Sequence, residues 1–293
     1  MSQPLISIVT PSFNQGKFLR AAMRSVLDQQ DVTPEYIVMD GGSTDGSVEI
    51  IRECENRLHY WTSAPDGGHY AAINDGFAHA TGEIMAWLNS DDQYTPWALS
   101  VVAEIFSAFP KIEWLTTLFP MRWDERGRAI RCTRRRGYSR TAFLAGENLP
   151  IGDWYSDGCI QQETTFWRRS LWERAGGALD TGRTLAADFD LWARFFQHAE
   201  LYAVETPLGG FRWHGDQRSH LLRETYERES LEILRAAGGK VPGRWRSALR
   251  SAAAGHLPET LHPWAHRAGL LHETKVLTFA GADEGWRIAP LLR

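Results

Sequence analysis

Cysteine is scarce: Cys54, Cys132 and Cys159 in 293 residues are too few and too scattered for a disulfide framework or a zinc knuckle. We read them as small buried thiols in a reducing compartment. No apolar run reaches the ~18 residues of a membrane span. The opening MSQPLISIVT has neither a charged leader region nor a cleavage site. The expectation is a cytoplasmic protein, with contact to a membrane surface left open. A basic excess is missing too: the net charge is -4, which speaks against nucleic-acid binding. After the first apolar run stands TPSFNQG, where an NTPase would carry a Walker loop and a nicotinamide enzyme a G-x-G-x-x-G turn. The chain also lacks internal repeats and low-complexity runs, and 43% hydrophobic with 23% charged residues is ordinary globular composition.

What is present is an alternation. LISIVT (5–10), EYIVMD (35–40), HYWTSA (59–64) and EIMAWL (83–88) read as buried strands. Amphipathic stretches separate them, the first with Phe18, Leu19, Ala22, Met23, Val26 and Leu27 on one face. Repeated strand–helix units predict an α/β fold with a mostly parallel, Rossmann-like sheet covered by helices. In such sheets ligands bind beyond the carboxyl ends of the strands. Thr10, Pro11 and Ser12, then Asp40, Asp66 and Asp91, should converge there. The segment 111–180 is less regular, with a basic loop RCTRRRGYSR and an aromatic-polar loop GDWYSDG. A helix starts near Asp188, and beyond Tyr226 short helices are broken by glycine and proline.

The segment MAWLNSDDQYTPWAL (85–99) poses the sharpest question, because it sets Asp91 and Asp92 side by side. Capping of the next helix does not require them, since Thr95 before Pro96 already reads as its start. Two adjacent carboxylates repel unless a cation or a hydrogen-bond donor offsets the repulsion, and a hard metal ion is the simplest candidate.

Five blocks taken in order carry a family resemblance: ISIVTPSFNQGKFLRAAMRSVLDQQ, YIVMDGGSTDGS, SAPDGGHYAAINDGFAHATGEIMAWLNSDD, QQETTFWRRSLWERAGG-ALD and AADFDLWARF. Together they resemble family-2 glycosyltransferases of GT-A fold over residues 6–219. The resemblance implies a catalytic domain over 1–225, with a nucleotide-binding half (1–110) and an acceptor-binding half (111–225). A helical C-terminal extension would occupy 226–293. It also implies inverting transfer from a nucleotide sugar, by default a UDP-sugar, to a glycan or lipid-linked acceptor in surface polysaccharide or glycan biosynthesis. Asp40 resembles the acid that recognises the base, with Thr10, Pro11 and Ser12 lining the same site and Asp66 a further nucleoside contact. Asn89 and Ser90 stand in the DXD-type motif, and Asp91 matches its ligand for Mn2+ or Mg2+. His214, in FRWHGDQRS, would complete the metal shell. Asp188 resembles the catalytic base, although Ala187 stands where the family commonly has Glu.

The residues support these placements independently. A departing diphosphate needs its charge neutralised, and inversion needs one base to deprotonate the acceptor hydroxyl. Asp188, in the first turn of a helix, is positioned for that but is expected to be only weakly basic. Trp154, Tyr155, Gln162 and Glu163 are candidate acceptor contacts, against the alternative that the tryptophans are core. The arginines at 131, 134, 135, 136, 140, 244, 246 and 250 are either a solvated surface or a dock for a lipid-linked diphosphate or an anionic membrane face. Two other readings stay open: a non-catalytic nucleotide-sugar-binding module, which would need no base, and a nucleotidyltransferase, which would want a triphosphate cradle that TPSFNQG does not offer.

Overall fold

A computed structural model describes residues 3–150, 158–215, 217–241, 243, 245, 249, 252 and 257–292. The strands are β1 (Ile6–Ser12), β2 (Glu35–Asp40), β3 (Tyr60–Ser63), β4 (Ile84–Trp87), β5 (Gln93–Tyr94), β6 (Trp114–Thr117), β7 (Met121–Trp123), β8 (Ala129–Cys132), β9 (Phe166–Arg168), β10 (Leu201–Val204), β11 (Gly209–Arg212), β12 (Glu273–Phe279) and β13 (Trp286–Leu292). The helices used below are α1 (Gly16–Leu27), α2 (Ser47–Arg52), α3 (His69–His79), α4 (Ala98–Ala108), α5 (Arg140–Leu144), α6 (Arg169–Arg174), α7 (Ala187–Phe195), α8 (Arg218–Leu221) and α9 (Arg223–Ala236).

Among the described residues the main sheet has nine strands in the order β13-β12-β10-β6-β9-β4-β1-β2-β3. β1 pairs in parallel with β2 and β4, and β2 with β3. The mostly parallel α/β sheet expected from the alternation is therefore present, interrupted by antiparallel β9 between β4 and β6. A second sheet, β5-β11-β7-β8, stands beside it. β1 and β2 are buried along their whole length, as strands covered on both faces must be. α1 buries Phe18, Leu19, Ala22, Met23 and Val26, the face its 3.6-residue period marks.

Four tryptophans, Trp87, Trp114, Trp167 and Trp192, are almost fully buried and form the centre of the core. Trp192 of α7 stacks on Trp87 at 6.2 Å and on Trp114 at 5.6 Å. Aromatic pairs contribute about 0.5–1.5 kcal/mol each beyond their buried area. Here they lock α7 onto the strand that ends two residues before Asn89.

Four expectations need correction. α4 starts at Ala98, not at Thr95–Pro96, because the Thr95 hydroxyl donates to the carbonyls of Pro207 (3.1 Å) and Leu208 (3.2 Å) instead of capping the helix. The thiols are free, as expected, but none of them is buried: Cys132 lies exposed on strand β8, and Cys54 and Cys159 are half-buried. The C-terminal segment is not wholly helical, since β12 pairs in parallel with β10 and β13 folds back on β12. Lastly, the boundary at 225 falls inside α9, whose Ile233 and Leu234 are buried in the main core. Among the described residues no helix is long and apolar enough to cross a membrane.

Candidate active site

The carboxyl ends of β1 to β4 lie side by side, as the parallel order requires. Ser12 is in register with Asp40, the Gly41 N–H donates to the Ser12 carbonyl at 2.8 Å, and the Leu88 N–H donates to the Val9 carbonyl at 2.9 Å. Loop 13–16 is tied to the turn after β2. The Asn14 N–H donates to Ser43 Oγ at 2.7 Å, the Asn14 side chain accepts from the Thr44 N–H at 3.0 Å, and Asp45 accepts from the Gly16 N–H at 2.8 Å. Asn14 takes a left-handed φ of 52°, which asparagine tolerates better than most residues.

Asp40 is 2% exposed, and its two oxygens accept four internal hydrogen bonds. The donors are the Gly42 and Ser43 N–H groups at 3.2 and 2.9 Å, the Ser43 hydroxyl at 2.6 Å and the Ser63 hydroxyl at 2.7 Å. Its visible work is to shape the turn. Asp66 is exposed and accepts the Gly68 N–H through Oδ1 at 2.7 Å. A Cβ at Gly41 would sit 3.1 Å from Asp66 Oδ2 and 3.2 Å from the ring of Phe13, which is 62% exposed. Gly41 thus leaves open a niche between an exposed ring and an acidic oxygen. Thr10 faces the interior, where its Oγ1 accepts from the Tyr36 hydroxyl at 2.9 Å. Pro11 is buried, and Ser12 Oγ is buried without a partner.

The acidic pair after β4 is split. Asp92 turns inward, 1% exposed, accepting the Arg212 N–H at 2.9 Å and the Asn89 amide at 3.3 Å. Burial, reinforced by Asp91 and Glu163, holds its carboxyl well above the usual range. Asp91 turns the other way, and its Oδ2 lies 2.9 Å from Nε2 of His214. His214 is almost fully buried against Phe18, and its Nδ1 has no partner. Ser90 is buried, and Asn89 leaves its Oδ1 unpartnered. Behind the turn, Arg212 is 1% exposed and donates to the carbonyls of Asp91, Asp124 and Glu125. Arg212 escaped the sequence reading, although it stands two residues before His214 in a block already singled out.

Gln162 and Glu163 form a 3-10 turn beneath the same loop. Gln162 donates to the Trp87 carbonyl and accepts from Asn89 at 3.1 Å, so its amide is engaged within the protein. Glu163 is 4% exposed, with Oε1 unpartnered, and feels both Asp188 and Asp91. Burial pushes its carboxyl up to about 8, with Asp188 and Asp91 adding to the effect. Trp154 and Tyr155 lie outside the described residues. Of the basic run, Arg134 pairs with Glu205 at 2.7 Å and the Arg131 guanidinium donates to Thr133 at 3.2 Å, while residues 244, 246 and 250 lie outside the described residues.

Asp188 sits in the first turn of α7. Its Oδ1 accepts the Phe189 N–H at 2.7 Å and its Oδ2 the Tyr226 hydroxyl at 3.1 Å. The residue is half-buried, and burial pushes the carboxyl up to about 6 against both hydrogen bonds. That is more basic than a first-turn aspartate was expected to be. Asp190 is engaged elsewhere, paired with Arg194 at 2.9 Å. Tyr226 is the second residue that sequence reasoning missed, and no local pattern points to it.

The donor set fits a divalent metal only in part. Among the described residues no group of three His, Cys, Asp or Glu side chains could hold an ion unaided. One carboxylate and one imidazole at 2.9 Å fit a metal whose remaining positions are filled by diphosphate oxygens.

The sequence profile described as "Glycosyl transferase family 2" matches residues 7–151. An uncharacterised glycosyltransferase of Mycobacterium tuberculosis is 34% identical over 192 residues, which are 64% of this chain and 67% of that one. A putative teichuronic acid biosynthesis glycosyltransferase of Bacillus subtilis is 35% identical over 95 residues, 31% of this chain and 38% of the other. Among solved structures, Staphylococcus aureus TarS in complex with UDP-GlcNAc aligns with a TM-score of 0.58 at 16% identity, over 88% of this chain and 83% of that one. A mannosyltransferase from Pyrobaculum calidifontis in complex with GDP-Man and Mn2+ gives 0.56 at 18%, over 92% and 81%. At such identities the structural likeness establishes the GT-A fold alone. The strand-end acidic site, the fold and the mycobacterial relative agree, and the chain belongs to glycosyl transferase family 2.

Proposed function

We propose that this glycosyltransferase transfers a sugar with inversion from a nucleoside diphosphate donor, a UDP-sugar in the first instance, to a hydroxyl of a glycan or lipid-linked acceptor. The observation that carries the reading is Glu163. Both Asp188 and Asp91 act on this buried carboxyl, and its neighbour Gln162 accepts from Asn89, which supports one cleft for the candidate base and the candidate diphosphate site.

In this reading the base of the nucleotide lies in the niche that Gly41 leaves open, against Phe13, with Asp66 Oδ2 accepting an N–H from it. Asp40 supports that niche by fixing the turn, and Thr10, Pro11 and Ser12 form its floor. Asp91 and His214 hold Mn2+ or Mg2+, which when bound neutralises charge on the departing diphosphate. Asn89 Oδ1 and Ser90 face the same turn. Asp188 takes the acceptor proton, and a carboxyl near 6 is ionised at neutral pH while far more basic than an exposed aspartate. Glu163 contacts a sugar hydroxyl through its unpartnered Oε1. Free thiols and a nucleotide-sugar donor suit a cytoplasmic site of action. The teichuronic acid relative supports a role in surface polysaccharide synthesis. The non-catalytic binding module would need no base, and a carboxyl at Asp188 pushed up to about 6 supports the enzyme instead.

The test is a panel of nucleotide sugars scored by thermal shift with and without Mn2+, because a ligand that binds only the folded state raises its melting temperature. One donor should stabilise the protein more with metal than without. Equal shifts in excess chelator would contradict metal-assisted donor binding.

A further inference from the structure

α9 begins where the sequence reading ended the catalytic domain, yet two of its side chains reach the segment that carries Asp188. Tyr226 and Glu229 are three residues apart and so share one face of the helix. Glu229, 7% exposed, accepts the backbone N–H groups of Thr184 (2.9 Å), Leu185 (3.0 Å) and Ala186 (3.1 Å). These three residues lead directly into α7. A helix start leaves N–H groups unpaired, usually capped by a polar side chain at the first boundary position. Ala186 stands at that position in α7 and offers no such group. The nearby donors are met from α9 instead. Burial alone would raise the Glu229 carboxyl, but the three backbone donors outweigh it and hold the group below its usual value, as expected of a charged acceptor.

One turn earlier on α9, the Tyr226 hydroxyl donates to Asp188 Oδ2 at 3.1 Å. We propose that Tyr226 is a positioning residue for Asp188 and that Glu229 holds the segment from which α7 starts, so that α9 is part of the active site. This rests on Asp188 being the general base.

The titratable groups facing Asp188 are Tyr226 of α9, Tyr70 of α3, and Cys159 and Glu163 from the segment before β9. Of these, Tyr226 hydrogen-bonds the carboxylate among the described residues. A donated hydrogen bond favours the ionised carboxylate, so losing it makes the base harder to ionise.

The test is the carboxyl 13C NMR titration of Asp188 in the full chain, assigned with Asp188→Asn and compared between wild type and Tyr226→Phe, which loses one oxygen and keeps the ring. The midpoint should move up by about one pH unit. In turnover the same shift is about a fivefold loss of kcat at pH 6 that fades by pH 8. UDP affinity with Mn2+ should stay unchanged. Glu229→Gln should lower kcat at every pH without moving the midpoint. An unmoved midpoint in Tyr226→Phe, or a loss equal at pH 6 and pH 8, overturns the positioning role. An unaffected kcat in Glu229→Gln overturns its part. If Asp188→Asn itself keeps wild-type turnover, the base assignment has failed, which is a separate result from an inactive Asp188→Asn beside an unmoved Tyr226→Phe.

Discussion

Between Ile6 and Asp92 the candidate site residues follow directly from local chain order: a strand ends, and the polar residue stands at its tip. Ser12 and Asp40 are neighbours because β1 and β2 pair in register, and Asn89 to Asp92 follow β4 in the same way. Between residues 158 and 236 nothing is placed so directly. Asp188 is held by a tryptophan stack to β4, by a helix 38 residues further on, and by a glutamate that caps a loop from outside. The first region places its groups by topology, and the second by packing. A substitution should therefore remove chemistry without touching the fold in the first region, and disturb both in the second.

The largest effect should come from Asp91→Ala, which sits in a turn between β4 and β5 with its carboxylate on His214. Activity should fall about a thousandfold, the equivalent of several kcal/mol of charge stabilisation, with melting temperature nearly unchanged. Comparable activity in the variant, measured with Mn2+, would erase the distinction between the two regions. In the second region Trp192→Ala should behave in the opposite sense. Removing a fully buried indole from the stack on Trp87 and Trp114 costs about 3–5 kcal/mol of stability, read by denaturant or thermal unfolding. A stable, inactive Trp192→Ala would mean that α7 is not held by packing.

A smaller effect concerns the cost of burying Glu163. Burial pushes its folded carboxyl up to about 8, against about 4.3 for an unfolded glutamate. Between those values the folded state retains a proton that the unfolded chain has lost. Stability therefore falls as pH rises through that window and is fully recovered below it. Glu163→Gln removes the penalty, so the variant should be more stable than wild type at pH 8 and no more stable at pH 4. The check is the pH dependence of unfolding for both proteins, and a variant less stable at pH 8 would show that the carboxyl has a partner that offsets its burial.

The same division explains what was legible in the sequence. Strand positions came from apolar runs, and the expected convergence of Asp40, Asp66 and Asp91 rested on parallel topology alone, of which the structure shows Asp66 beside Gly41, the residue after Asp40. The split of Asp91 from Asp92 was not legible, because it depends on Arg212 arriving from β11 to meet Asp92. That Asp40 has its oxygens filled was also hidden, since Ser63 reaches it from the next strand. The basicity of Asp188 was underestimated because a helix start suggests a favourable dipole, whereas burial, which no local pattern encodes, outweighs it. The domain boundary at 225 failed for a related reason: α9 looks like the start of a tail by composition, and only its contacts make it part of the core.

The central claim, that one aspartate of α7 is the general base, is tested most directly by comparing Asp188→Asn with Asp190→Asn. Each keeps shape and removes one carboxylate, and the structure pairs Asp190 with Arg194 while Asp188 accepts the Tyr226 hydroxyl. The measurement is kcat with acceptor beside UDP affinity by calorimetry. Asp188→Asn should lose about 10²- to 10⁴-fold in turnover with affinity unchanged, while Asp190→Asn stays within a few-fold of wild type. A silent Asp190→Asn beside an active Asp188→Asn would contradict the account.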